Sequence, residues 1–220
     1  MKGMAALLLA VTACGGDRSP SRASASANAP DTASAVVYRH GTLLVDADST
    51  MRLAVCGTTT ERALTAAPGA RLIEAVTAVN GGFRDSLFVE LMADTSRDVL
   101  VARETLFAAS LAEGSRCDQP RAPFDWVATG VEPFWRVTYD GTQLVLERPE
   151  PPRELVFDAQ PPEVRGTLTT IRGTRALGTV HELKLGILRE GCRNGMSDAW
   201  YPYRAEVRAG DVALAGCARR

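Results

Sequence analysis

The chain has 220 residues, of which 45% are hydrophobic, and this composition predicts a packed core rather than global disorder. Its formal net charge of −1 argues against a general nucleic-acid-binding protein, because such proteins need a basic surface. Beyond the first residues, no segment of the sequence is long and apolar enough to predict a membrane-spanning helix.

The N-terminal segment has the composition of an export signal. Lys2 is followed by a short apolar run that ends in Val11-Thr12-Ala13-Cys14. The run is far shorter than the roughly 20 apolar residues of a spanning helix, and its order matches a secretory signal. Its ending resembles the bacterial lipobox, so residues 1–13 are predicted to be a lipoprotein signal peptide and Cys14 the lipidated residue. The alternative is an ordinary signal peptide that ends near a cysteine.

Residues 14–35 predict a lipidated, disordered tether. The segment is rich in Gly, Ser, Ala, Pro and Asp and has no apolar periodicity. A flexible coil of this kind spans roughly 25 Å, so it would hold the folded part just off the membrane. Gly15 stands where an Asp would be the usual inner-membrane retention signal. We therefore expect an anchor in the outer membrane of a bacterial envelope, facing the periplasm.

Residues 36–119 predict the first domain. Strand-like segments begin at Val36 and Thr42, with a bulge expected at Gly41, and Met51, Leu53 and Val55 alternate as in a half-buried strand. A helical pattern follows Pro68-Gly69 and ends near Asn80. Two more strands are predicted at residues 86–92 and 99–107. This order of strands, one helix and strands favours a small barrel of the OB type.

A family resemblance supports that interpretation. Val55-Cys56-Gly57-Thr58, the helix near Leu72 and the strand near Val89 resemble the barrel domain of NlpE-like envelope-stress lipoproteins. The resemblance implies an OB-type fold that carries a disulfide. The Cys-x-x-Cys of the second domain of such proteins has no counterpart in this chain, so a copper- or adhesion-sensing role is not carried over.

Residues 120–220 predict a second, antiparallel β domain after a polar junction that contains prolines. Trp135, Val137 and Tyr139 alternate, and Asp140-Gly141 is a strong hairpin signal. Further strands are predicted at residues 155–157, 164–171 and 181–187, followed by a closing hairpin from Tyr203 to Leu214. The fold class expected for the whole chain is therefore mainly β, with two small antiparallel barrel or sheet domains.

The cysteines predict two disulfides. Lipidation of Cys14 would leave an even number of cysteines in an exported chain, and four cysteines allow three pairings. The division into two domains favours one bridge in each, namely Cys56–Cys117 and Cys192–Cys217. The competing interpretation is a metal site, which the wide cysteine spacing and the presence of only His40 and His181 make weak. No metal or other cofactor is predicted.

Two motifs of the second half resemble an uncharacterised family of bacterial envelope proteins. They are Gly130-Val131-Glu132-Pro133-Phe134-Trp135, and Cys192-Arg193-Asn194-Gly195-Met196-Ser197-Asp198 with Tyr201-Pro202-Tyr203 and Gly216-Cys217. The resemblance implies an envelope location and a shared fold, and it implies no activity.

The same motifs contain the candidate binding residues. Glu132 could bind a cation or a donor, or it could brace the entrance of a strand. Polar residues near Asn194 could form a ligand cup, or they could shape a turn. The aromatic residues could line a groove or belong to the core. The candidates are Glu132, Trp135, Asn194, Ser197, Asp198, Trp200 and Tyr201.

The motif search predicts no catalytic residues. The sequence has no Gly-x-Ser-x-Gly elbow, no His-Glu-x-x-His and no phosphate-cradling glycine loop. We therefore expect a non-enzymatic binding or sensing module, attached to the membrane by its lipid and recognising an envelope protein or another envelope component. One alternative is an inhibitor of a lytic or proteolytic enzyme that presents the loop around Asn194. Another is a hydrolase that uses His181 or a pair of carboxylates.

Overall fold

Strands dominate the computed structural model, which describes residues 35–80, 86–95, 98–111, 117–118, 124–195 and 198–220. These residues form sixteen strands and one helix and lie within a compact unit that spans Ala33–Arg220. The strands make two β barrels, so the mainly β fold class predicted from the sequence is confirmed.

The first barrel is a ring of five strands with one helix. The order around the ring is β1, β2, β3, β5, β4 and back to β1, and only the β3–β5 pair is parallel. The helix lies between β3 and β4 in the chain, which is the arrangement expected of an OB-type barrel. The elements are β1 (Val36–Val45), β2 (Met51–Val55), β3 (Glu61–Ala66), α1 (Leu72–Asn80), β4 (Leu87–Asp94) and β5 (Leu100–Ser110).

The second half of the chain supplies the remaining strands. They are β6 (Trp126–Val131), β7 (Phe134–Tyr139), β8 (Gln143–Glu147), β9 (Glu154–Ala159), β10 (Glu163–Arg165), β11 (Leu168–Thr174), β12 (Glu182–Leu188), β13 (Cys192–Arg193), β14 (Ala199–Tyr201), β15 (Tyr203–Ala209) and β16 (Val212–Arg219).

Eight of these strands close into the second barrel. Its order is β11, β12, β15, β16, β6, β7, β8 and β9, and a β9–β11 pairing completes the ring, while β10 pairs outside it with β11. Inward and outward residues alternate along strands such as β12 and β15, as a barrel wall requires. Large side chains such as Trp135, Tyr139, Phe157 and Ile171 form one buried cluster. The interior of this barrel is therefore a packed core rather than a ligand cavity.

The hairpin β13–β14 leaves the second barrel and joins the first. Ala199 and Trp200 of β14 pair with Ala109 and Ala108 of β5. The Trp200 side chain is 1% exposed and belongs to the core of the first barrel. Residues 192–201 lie some 70 positions after the predicted domain boundary near residue 120. They nevertheless extend the sheet that is formed by the strands before that boundary.

Both predicted disulfides are confirmed. Cys56 is bonded to Cys117, and Cys192 to Cys217. The second bridge does not lie within one sheet, because Cys192 is on β13 of the first sheet and Cys217 is on β16 of the second. It therefore anchors the crossing hairpin to the eight-stranded barrel.

Among the described residues, no helix has the length and apolar character needed to cross a bilayer. The predicted signal peptide, Cys14 and nearly all of the predicted tether lie outside the described residues.

Candidate functional site

The aromatic candidates from the sequence are mostly core residues. Trp135 is 1% exposed and lies inside the eight-stranded barrel, where its indole occupies space next to Gly130 and Gly216. Trp200 is buried in the first barrel. Tyr201 is half-buried and meets the Phe107 ring edge-on, with the ring centroids 5.2 Å apart. These rings therefore do not line an open groove.

The polar candidates are divided between two elements. Glu132 is exposed in the turn between β6 and β7 of the eight-stranded barrel. Asn194 and Asp198 belong to the β13–β14 hairpin, where the Asp198 carbonyl accepts the Ser110 amide at 2.9 Å. Ser197 lies outside the described residues. This contact is made by the Asp198 backbone and ties the hairpin to β5.

A cleft between the two barrels brings together a different set of residues. It has a volume of about 530 Å³, and we call it the inter-barrel cleft. The first barrel contributes β5, and the second contributes β6, the β10–β11 hairpin, the end of β12 and the start of β15. The polar and aromatic side chains that line it are Arg103, Glu104, Trp126, Arg189, Tyr203 and Arg220.

A β-bulge places two charged residues of β5 in this cleft. Met92 of β4 pairs with Glu104 and Ala93 pairs with Ala102, so Arg103 is an extra residue on β5. Neighbouring strand residues normally point to opposite faces, and an inserted residue interrupts that alternation. As a result, the consecutive residues Arg103 and Glu104 both line the cleft.

A polar network joins the two barrels at the floor of the cleft. The Tyr203 hydroxyl donates to Glu104 Oε1 at 3.1 Å, and Arg220 Nη2 donates to the same oxygen at 3.2 Å. The Tyr203 ring meets Trp126 edge-on at 4.9 Å, and the Arg220 guanidinium lies over Trp126 at 5.6 Å from the ring centroid. These contacts hold the Glu104, Tyr203 and Arg220 side chains in position without a bound ligand.

Burial raises the pKa of the Tyr203 hydroxyl, and the neighbouring Glu104 carboxylate raises it further. Tyr203 therefore stays protonated at neutral pH and acts as a hydrogen-bond donor. Glu104 accepts hydrogen bonds from both Tyr203 and Arg220, so its carboxylate is held within this network.

The cleft carries more positive than negative charge. Three arginines line it together with one carboxylate, Glu104. Arg103 also pairs with the buried Asp94 at 3.0 Å, whereas Arg189 makes no ion pair within the described part of the chain. Guanidinium groups bind carboxylates and phosphates through two parallel hydrogen bonds. The arrangement is chemically suited to hold an anionic group.

The histidines do not assemble a metal site. His40 stacks on Tyr38 with the ring centroids 5.3 Å apart, and His181 lines a separate cavity of the eight-stranded barrel. Across the ranges that the structure describes, no group of three or more His, Cys, Asp or Glu side chains is placed to hold a metal ion.

Sequence reasoning did not identify the cleft residues. Arg103, Arg189 and Arg220 are distant along the chain, and none lies in a recognisable motif. One usable signal was the pair Arg103-Glu104 inside a mostly apolar strand, since a charged pair there departs from simple alternation.

Comparison with known proteins identifies no relative: no family model, curated protein or solved structure matches this chain.

Proposed function

We propose that this chain is a lipid-anchored protein of the bacterial envelope that binds a carboxylate-bearing peptide in the inter-barrel cleft, without catalysing a reaction. The observation that carries the proposal is the convergence of Arg103, Arg189 and Arg220 on one cleft. Pockets at the junction of two domains are common ligand sites.

The surroundings of the arginines favour a peptide as the ligand. Val164 lines the cleft and is 68% exposed. Pro162 also lines it, so an apolar rim lies beside a cationic floor. A peptide that ends in a free carboxylate matches both features, because its side chains can cover the rim while its carboxylate meets a guanidinium.

The membrane attachment in this proposal depends on the sequence of residues 1–14 and on the disulfides. Disulfides persist in oxidising compartments, so the two bridges support an exported location. The test is the intact mass of the protein purified from its native host. We expect an acylated chain that begins at Cys14, with four thiols that appear only after reduction. An unacylated N-terminus would contradict the anchor.

The ligand proposal is tested with the full-length protein and short peptides. Calorimetric titration with a tripeptide that has a free C-terminal carboxylate is compared with the same peptide as its C-terminal amide. We expect only the carboxylate to bind. Arg189→Gln should weaken binding about tenfold or more, because a hydrogen bond to a charged group contributes about 1.5–3 kcal/mol. Arg153→Gln is the matched control, since Arg153 is exposed and lies away from the cleft.

Equal affinity for the carboxylate and the amide, or equal losses in the two arginine variants, would contradict carboxylate recognition in this cleft.

The runner-up function is inhibition of a lytic or proteolytic enzyme by the β13–β14 turn. The disulfide Cys192–Cys217 and the buried Trp200 brace this hairpin, while Arg193 and Gly195 remain exposed. Exposed residues next to braced strands are what such an inhibitor requires. The test measures a muramidase and a serine protease with added full-length protein. Inhibition that disappears in Arg193→Gln would favour this function over peptide binding.

A further inference from the structure

A row of three cationic residues crosses the outer wall of the eight-stranded barrel. Arg172 of β11 pairs in register with Lys184 of β12, and Lys184 pairs with Arg208 of β15. All three side chains are exposed, while their strand neighbours Leu183 and Val207 point into the core. We call these three residues the cationic row.

The stability of the sheet does not explain this row. Like charges that lie directly opposite one another on neighbouring strands repel and destabilise the pairing. Elsewhere on the same wall a cation is paired: Arg204, four positions before Arg208 on the same face, forms an ion pair with Glu190 at 3.7 Å. The repulsion in the cationic row is therefore a local cost that a bound anion would relieve.

Two members of the row have no counter-charge in contact. Arg172 Nη1 binds Glu163 Oε1 at 2.7 Å. Lys184 and Arg208 make no ion pair within the part of the chain that the structure describes. Glu182 lines the same cavity as the row and is its one carboxylate neighbour there. Three cations against two carboxylates, Glu182 in the lining and Glu163 bound to Arg172, leave an excess of one positive charge.

The row borders a cavity of about 530 Å³ that contains further donors. Thr174, Thr179 and His181 line it together with the three cations. A lysine ammonium supplies a compact charge, the guanidinium groups supply forked donors, and the threonine hydroxyls can donate to remaining oxygens. This combination matches the tetrahedral oxygens of a phosphate group better than the two oxygens of a carboxylate.

We propose that the cationic row is a phosphate-binding site, separate from the inter-barrel cleft. The phosphate can belong to a soluble phosphate compound or to the headgroup of a lipid, because both present the same oxygens. The site needs no metal and no covalent step.

Lys184 provides a direct readout, since Lys2 is the only other lysine in the sequence. The full-length protein in nonionic detergent is treated with an acylating reagent, and mass spectrometry measures the acylation rate of Lys184. Inorganic phosphate is added in one arm, and phosphatidic acid is mixed into the micelles in the other. Sodium chloride of equal ionic strength corrects for general screening.

We expect phosphate to slow acylation of Lys184 about fivefold or more relative to chloride. Arg208→Gln should abolish this protection. Arg204→Gln is the matched control, because it removes a cation from the same strand and face but outside the row, and it should retain protection.

Protection in both arms identifies a general phosphate site, and protection by phosphatidic acid alone assigns the site to a lipid headgroup. No protection in either arm, or equal protection by chloride, overturns the proposal. Loss of protection in Arg204→Gln as well as in Arg208→Gln also overturns it, because the effect would then be one of net charge. None of these outcomes depends on peptide binding in the inter-barrel cleft.

Discussion

Two glycines of the eight-stranded barrel, Gly130 and Gly216, leave room for the indole of Trp135. A β-carbon at Gly130 would collide with the Trp135 indole and lie 2.8 Å from the Ala215 carbonyl oxygen. A β-carbon at Gly216 would collide with the Thr129 carbonyl and lie 2.8 Å from the same indole. The motif that joins Gly130 to Trp135 is thus a packing motif, in which a large ring fills space that the facing strands leave empty.

Gly130→Ala should therefore destabilise the protein. Overpacking of a filled core costs about 1–3 kcal/mol, and here the obstacle includes backbone as well as a fixed ring. Gly195→Ala is the control, because no atom of the described part of the chain, chain neighbours aside, lies within 4 Å of a β-carbon built there. It should change the free energy of unfolding by less than about 0.5 kcal/mol. Urea denaturation of both variants measures the difference, and equal midpoints would contradict the packing argument.

At the scale of elements, α1 is tied to the crossing hairpin by one arginine. Arg71 Nε and Nη2 donate to the two Glu74 carboxylate oxygens at 2.8 and 2.6 Å, and Nη1 donates to the Pro202 carbonyl at 2.7 Å. The guanidinium also lies 5.1 Å from the centre of the Trp200 ring. Helix and hairpin are therefore held by a charged network as well as by the buried indole.

This network predicts a pH-dependent contribution to stability. Hydrogen bonds from Arg71 hold the pKa of Glu74 below its ordinary value of 4.5, with a smaller contribution from the Trp200 side chain. Because the pKa is lower in the folded state, the contribution is complete above 4.5 and is lost as the pH falls through the folded pKa. Glu74→Gln should cost about 0.2–1 kcal/mol at pH 7, since the pair is partly exposed.

The measurement is urea denaturation of both proteins between pH 7 and pH 3, where the difference in unfolding free energy should shrink toward the acid end. Glu150→Gln, an exposed residue of a loop, should show no such trend. A difference for Glu74→Gln that stays constant with pH would show that ionisation of Glu74 does not stabilise the hairpin.

Elements with a strong local apolar pattern or turn signal were predictable from the sequence. Alternation at Leu87, Val89 and Leu91 predicts β4, and helical spacing from Leu72 predicts α1. The turn at Asp140-Gly141 is present, with Gly141 at a φ of 98° and the Asp140 carboxylate accepting the Thr142 amide at 2.8 Å. In such segments the residues that form the element are also the residues that signal it.

Elements without a local apolar pattern were missed. In β3 only Leu64 is buried, and in β6 the inward positions after Trp126 are Ala128 and Gly130, whose small side chains give no periodic signal. The bulge predicted at Gly41 was wrong, because β1 pairs in continuous register with β2 and β4 there. Gly41 is needed instead where β1 closely approaches the Ala54 carbonyl of β2.

The candidate site could not be predicted because it is assembled by long-range contacts. Aromatic residues such as Trp135 and Trp200 suit a core and a groove equally well in sequence, and burial alone distinguishes the two. The cleft arginines meet only because the hairpin β13–β14 and the C-terminal residues return to β5. No spacing rule connects Arg103 to Arg220.

At the scale of the whole molecule, a buried ion pair joins the barrels. Arg219 Nη1 of β16 binds Glu90 Oε1 of β4 at 2.8 Å, and its guanidinium lies 4.7 Å from the centre of the Phe107 ring. Glu90 is only 6% exposed, and its second oxygen, Oε2, has no hydrogen-bond partner among the described residues. Arg219 is therefore the group that compensates a carboxylate buried in the other barrel.

Arg219→Gln should lower the stability of both barrels together. Removing one partner of a buried ion pair costs about 3–5 kcal/mol, since it leaves the other charge uncompensated. Hydrogen exchange followed by mass spectrometry is compared for peptides from β4 and β7, which belong to different barrels. We expect equal losses of protection in both peptides. Arg153→Gln should leave both unchanged, and a loss confined to β4 would indicate two barrels that unfold independently.

The crossing hairpin also determines when the first barrel can finish folding. During synthesis from the N-terminus, strands β1 through β5 emerge first. Trp200 and its neighbours on β14, which pair with β5, follow about 90 residues later. Until then the core around Leu72 and Val76 lacks its largest side chain, and the edge of β5 that receives β14 stays open. An open strand edge and uncovered apolar surface attract other chains. The first half therefore remains vulnerable to aggregation throughout synthesis, and a factor that shields the β5 edge during that interval would raise the yield of folded protein.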